Sequence, residues 1–90
     1  MADAALLKEV NIKTGIVKRL VKELACYKKE AEKEESKLKS MKADPKADEY
    51  LVKKQAEVLQ DTRQMIPNCT QRVVKALEDL KKVSFLELPS

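Results

Sequence analysis

From Asp3 to about Met41 the chain contains no proline and a single glycine, Gly15, while apolar side chains return alternately three and four residues apart. The series runs Leu6, Val10, Val17, Leu20, Leu24, Tyr27, Ala31, Leu38 and Met41, and only Lys13 and Glu34 place charge in it. A spacing near 3.5 residues keeps one seam of a helix turned toward a neighbouring helix. At 1.5 Å per residue this helix would be roughly 60 Å long, about twice the width of a compact globule of this size, so a rod is predicted. A sheet protein would need more turn and β-branched residues than a chain with one Gly, three Pro and 38% charged residues supplies.

The segment from Lys42 to Glu49 reads as a reversal. Asp44 can accept backbone N–H bonds at a helix start and Pro45 suits the first helical position, with Asp48 as the alternative cap. Asp48 and Glu49 also favour the positive end of a helix dipole. A second helix is therefore predicted to begin between Pro45 and Asp48. Its seven-residue stripe is Val52, Leu59, Ile66, Val73 and Leu80, flanked by Ala56, Cys69, Ala76, Leu77 and Val83. Pro67 interrupts it, removing a backbone donor and crowding the preceding turn, which predicts a kink or short break near Met65 to Asn68 rather than a functional hinge. Ser84 to Ser90, too short for a helix of its own, reads as a docked or frayed tail. The expected fold is all-α: one elongated, antiparallel, coiled-coil-like helical hairpin over 1–90, with helices at about 3–42 and 48–83, a turn at about 43–47 and a tail at 84–90.

This pattern leaves little room for catalysis. Ninety residues make one domain without a large buried cleft, and the absence of histidine removes the usual acid/base near neutral pH and the commonest metal ligand. Glu30, Glu32, Glu34 and Glu35 alternate with Lys28, Lys29, Lys33, Lys37 and Lys39, as on a solvated, self-compensating helix face. Carboxylates in water keep their ordinary acidity and have no reason to act near neutrality. Cys26 and Cys69 fall on or beside the apolar faces; a hairpin would bring them within a turn or two, which leaves a disulfide open, but small core residues in a reducing cytosol are the simpler expectation. No metal, cofactor or small-molecule substrate is expected, and the protein is expected not to be an enzyme.

The net charge of +4 is a modest excess of 19 basic over 15 acidic residues, spread along the chain. Ile12 to Lys22 is a basic amphipathic stretch, yet it carries no Trp or Phe for a membrane surface and no aromatics for stacking on bases, so neither membrane nor nucleic acid is an expected partner. Its apolar arc is more informative. Ile12, Ile16, Leu20, Val21, Leu24, Val17 and Val10 span roughly half the helix circumference, wider than one neighbouring helix covers. Either this chain covers the excess, or the N-terminal half of the first helix meets a third helix, a second copy, the tail or a client.

Two blocks carry a family resemblance. Ile12-Lys13-Thr14-Gly15-Ile16-Val17-Lys18-Arg19-Leu20-Val21-Lys22-Glu23, followed by Tyr27 and Glu30-Ala31, resembles the first helix of the tubulin-specific chaperone A family. Lys53-Lys54-Gln55-Ala56-Glu57-Val58-Leu59-Gln60, then Met65-Ile66-Pro67 and Cys69, resembles its second helix. The resemblance, from about Asn11 to Lys82, implies an antiparallel helical bundle that captures β-tubulin on the route to the αβ heterodimer, in the cytoplasm and associated with the cytoskeleton, without nucleotide or metal. It also implies a third, acidic helix, which is expected to be missing here, leaving an antiparallel homodimer as one way to cover the exposed seam. Within the matching blocks the residues expected to touch the client are Lys13, Lys18, Arg19, Lys22, Tyr27, Lys54, Glu57 and Arg63. The alternative expectation is a generic helical interaction module with another partner.

Overall fold

The computed structural model describes residues 3–87. It consists of two helices, α1 (Ala4–Ala43) and α2 (Glu49–Glu87), packed against each other along their lengths, with no strand among the described residues. The chain is 69 Å long and 16 by 14 Å across, with a radius of gyration of 20.2 Å, against about 12 Å for a compact domain of this length. Its accessible surface, 7215 Å², exceeds by about a third the roughly 5,300 Å² of a compact monomer of this mass. The rod follows from the uninterrupted seam, because each helix finds its apolar partner only along the other.

Local hydrogen bonds fix where the helices begin and end. Asp3 caps α1, its Oδ1 accepting from the Ala5 N–H at 3.0 Å. At the reversal Asp44 Oδ1 accepts from the Lys46 N–H at 2.9 Å, and the Asp44 carbonyl accepts from the Ala47 N–H at 3.1 Å. Asp44 and Pro45 therefore build the turn, with Pro45 at its second position where a fixed φ is useful. Asp48 caps α2, accepting at Oδ1 from the Tyr50 N–H at 2.8 Å. The Asp44 cap is thus corrected to Asp48, because the chain must reverse before it can restart a helix.

Two further expectations change in α2. The helix is unbroken from Met65 through Asn68, so no short break occurs at Pro67. Pro67 and Arg63 are both exposed, and the Arg63 carbonyl that loses its donor faces away from the dry seam. The helix also continues past Val83 to Glu87, since Val83 is buried in the seam and no Pro or Gly intervenes before Pro89. The tail expected at 84–90 is helical as far as 87; Leu88, Pro89 and Ser90 lie outside the described residues.

The core is a single seam. Leu38, Leu59, Cys69, Val73, Ala76 and Val83 are buried, five of these six on α2. On α1, Leu6, Val10, Val17, Leu20 and Leu24 are half-buried along the same seam. Two hydrogen bonds set the register. The Cys69 thiol donates to the Leu20 carbonyl (3.6 Å), and Gln55 Nε2 donates to the Glu34 carbonyl (3.1 Å). From Leu20 to Glu34 and from Cys69 to Gln55 is two heptads on each helix, run in opposite directions.

Gln55 and Glu34, the polar exceptions of their seams, therefore share one layer. Gln55 is buried, and Glu34 Oε2 is buried with no hydrogen-bond partner. A seam that leaves a polar atom unmatched is less stable than its apolar equivalent. Replacing both residues (E34L with Q55L) is expected to stabilise the chain by about 1 kcal/mol, a rise in Tm of about 4–8 °C by calorimetry. An unchanged or lower Tm would mean that the layer is better satisfied than its geometry indicates.

Candidate partner-binding surface

The seam has two long edges, and an ion pair identifies one of them. Arg63 Nη2 lies 3.4 Å from Glu35 Oε2, bridging α2 to α1. Because the helices are antiparallel and each repeats every seven residues, sevens counted backward along α1 match sevens counted forward along α2. Carried from the Leu20–Cys69 and Glu34–Gln55 hydrogen bonds, the register places Lys28 nearest Arg63, Val21 nearest Thr70 and Thr14 nearest Leu77 on this edge, and the long Arg63 and Glu35 side chains reach along the edge to meet. Val21, 47% exposed, lies on this edge near Thr70, and Leu77, 45% exposed, follows about a heptad further from the hairpin turn, with Val74 a similarly exposed neighbour one turn before Leu77. Val74, Leu77, Leu80, Lys81, Ser84 and Glu78 line a shallow depression of about 390 Å³.

The opposite edge carries Leu51, Val58 and Met65, all exposed and spaced by sevens along α2. On α1 it carries Ile16, Glu23 and Glu30, with exposed Ile12 alongside. The wide apolar arc of α1 is therefore not covered among the described residues: Leu7, Ile12 and Val21 stay exposed.

The residues expected from sequence to contact a partner fall at several places. Lys13 lies in the seam with its stem half-buried and its Nζ 3.9 Å from Glu9 Oε1. Arg19, Lys22 and Tyr27 come together around a depression of about 350 Å³ on α1, with Tyr27 half-buried at its seam side. Lys54 and Glu57 pair at 4.0 Å, and the Lys54 ammonium sits 5.6 Å from the Tyr50 ring centroid. Arg63 holds Glu35, and Lys18 is exposed beside Val21. By the register, Lys18 and Lys54 are about 25 Å apart along the rod, so no single contact patch holds all eight.

Sequence reasoning passed over Val74, Val58, Leu51 and Met65. The signal was present: each is an apolar residue beside the stripe rather than on it. Cys26 departs from expectation in the other direction, being exposed, because it sits two positions beyond the half-buried Leu24 and one before the half-buried Tyr27, on the outward side of α1. Cys69 is buried, and both thiols are free. Among the described residues no three His, Cys, Asp or Glu side chains are grouped to hold a metal ion, and neither helix is long and apolar enough to cross a membrane.

The exposed apolar rows along both edges of the seam can mask a partner's surface. Comparison with known proteins then gives the partner class. The family model described as tubulin binding cofactor A matches residues 5–87. The chain is 48% identical over 83 residues to tubulin-specific chaperone A of Rattus norvegicus, covering 92% of this chain and 75% of that protein. It superimposes on the crystal structure of tubulin folding cofactor A from Arabidopsis thaliana with a TM-score of 0.82 at 46% identity, covering 90% of this chain and 75% of that one. On human tubulin chaperone cofactor A the TM-score is 0.71 at 45% identity, with 87% and 75% covered.

Proposed function

The chain belongs to the tubulin binding cofactor A family, and from that premise we propose that it is a tubulin-folding chaperone that binds and holds β-tubulin on the route to the αβ heterodimer. The observation that carries this reading is the family match across residues 5–87, which spans both helices and the reversal between them. The physical form supports it. A pre-formed rod with apolar side chains along both edges of its seam can lie on an unfinished protein surface and shield it, without ordering itself at that moment.

Holding is a binding function, not a chemical step. Affinity comes from apolar contact along the helices, and release requires only a competing partner for the same client surface. On this reading the protein is not an enzyme and works in the cytoplasm beside the cytoskeleton.

Analytical ultracentrifugation of the chain with free β-tubulin, and separately with the intact αβ dimer, tests the proposal. A complex with β-tubulin and none with the dimer is expected; equal binding to both, or to neither, refutes the specificity for β-tubulin. Because the chain carries a net +4, its association with an acidic client should also be steered by charge. The association rate is expected to fall by about tenfold between low and physiological ionic strength, with the dissociation rate nearly constant, as read by stopped-flow fluorescence.

A further inference from the structure

We propose that the client side of the rod is the edge marked by the Arg63–Glu35 ion pair, where Val74 and Leu77, with Val21 of α1 further toward the hairpin turn, make an apolar strip bordered by Lys18, Lys28 and Lys81. Its occupant is a protein surface presenting apolar side chains flanked by carboxylates. The inference rests on the tubulin-folding reading and adds to it which face is used.

Charge separates the two edges. From Thr14 to Lys28 on α1 and from Arg63 to Ser84 on α2, the charged side chains on this edge and in the row beside it are all basic: Lys18 and Lys28 from α1, Arg63 and Lys81 from α2. Glu78, at the outer rim of the depression, is the nearby carboxylate, and it points from the back of α2 rather than from the edge. The opposite edge mixes signs, with Glu23 and Glu30 across from the Leu51–Val58–Met65 row and Asp61 beside it. An apolar centre inside a rim of one charge is the arrangement that selects a partner of the other charge, because like charges at the rim reject wrong partners while the centre supplies affinity.

The same rim disfavours a second copy of this chain. In a twofold dimer built on this edge the patch would meet itself, and Lys18, Lys28 and Lys81 of one copy would face the lysines of the other. A carboxylate-rimmed surface gains from the lysines that a second copy would have to oppose.

Two triple variants with the same change in net charge test the choice of face: K18E/K28E/K81E on the proposed edge, and K33E/K75E/K82E beside the other. All six lysines are exposed, and far-UV circular dichroism checks that helix content is kept. A third variant, Leu77→Gln, removes apolar contact without touching charge. The first triple and the Leu77 variant are each expected to weaken β-tubulin binding about tenfold or more, with the second triple within about threefold of the parent. Equal losses from the two triples would reduce the rim to general steering and overturn the proposal, as would full affinity in the Leu77 variant. A chain that sediments alone as a dimer, and becomes a monomer on Leu77→Gln, would show a second copy on the patch and also overturn it. If the parent chain binds no tubulin at all, it is the tubulin reading that fails; parent binding lost only with the second triple refutes the face alone.

Discussion

Leu59→Ala is expected to lower the stability of the chain by about 2–5 kcal/mol, seen as a fall in Tm of about 4–8 °C for each kcal/mol. Leu59 is 4% exposed, the least exposed leucine of the seam. The register that sets Gln55 against Glu34 and Cys69 against Leu20 brings Leu59 level with Ala31, so the layer contains one large side chain and one small one. Truncation would leave two alanines facing each other with nothing to fill the space. A chain of 90 residues commands only about 5–13 kcal/mol in all, so this one layer carries a large share of the fold. Val58→Ala, one residue away but exposed, is expected to change stability by no more than about 0.5 kcal/mol. Thermal melts at 222 nm compare the two. Equal effects would mean that the helices are not packed in this register.

That contrast between neighbours shows what a periodic pattern does and does not reveal. The three-and-four spacing from Leu6 to Met41 was enough to specify helix, seam and rod, because no other backbone repeat brings those positions to one side. The charged exceptions were visible too, but what they do was not. Lys13 is carried by a flexible stem that reaches Glu9, whereas Glu34 keeps one oxygen buried, and only the partner helix distinguishes the two outcomes. Competing local hydrogen bonds decided the start of α2: Asp44 and Asp48 are equally able to cap, and the need to reverse the chain assigned the turn to one and the helix to the other.

The candidate surface was less legible for a related reason. Reading α1 alone shows an apolar arc too wide for one neighbour, but not which side of the arc is left over. That depends on pairing with α2, which sets Val21 beside Thr70 with Val74 and Leu77 further along the same edge, through a register written in Gln55 and Cys69. Charged residues in the matching blocks were the natural candidates before the structure. They are spread over about 33 Å, and the exposed apolar residues between them are what give one edge a centre.

Pro67 is the position where stability and shape can be separated by one substitution. Pro67→Ala is expected to stabilise the chain by about 2 kcal/mol: alanine restores the N–H for the Arg63 carbonyl and removes the ring from the preceding turn, worth about 3 kcal/mol, less about 0.4–1 kcal/mol for the freer unfolded chain. Nothing in the seam opposes the change, since Pro67 is exposed and the buried contacts nearby belong to Cys69 and the half-buried Ile66. If the proline is simply tolerated on the outer side of the helix, β-tubulin binding should stay within about threefold of the parent while Tm rises by about 8–16 °C. If binding falls while stability rises, a straighter α2 no longer follows the client, and the proline acts by bending the rod to fit it. Measuring melting and tubulin affinity on the same preparation distinguishes these, because a variant that is more stable and binds less well cannot owe its loss to unfolding.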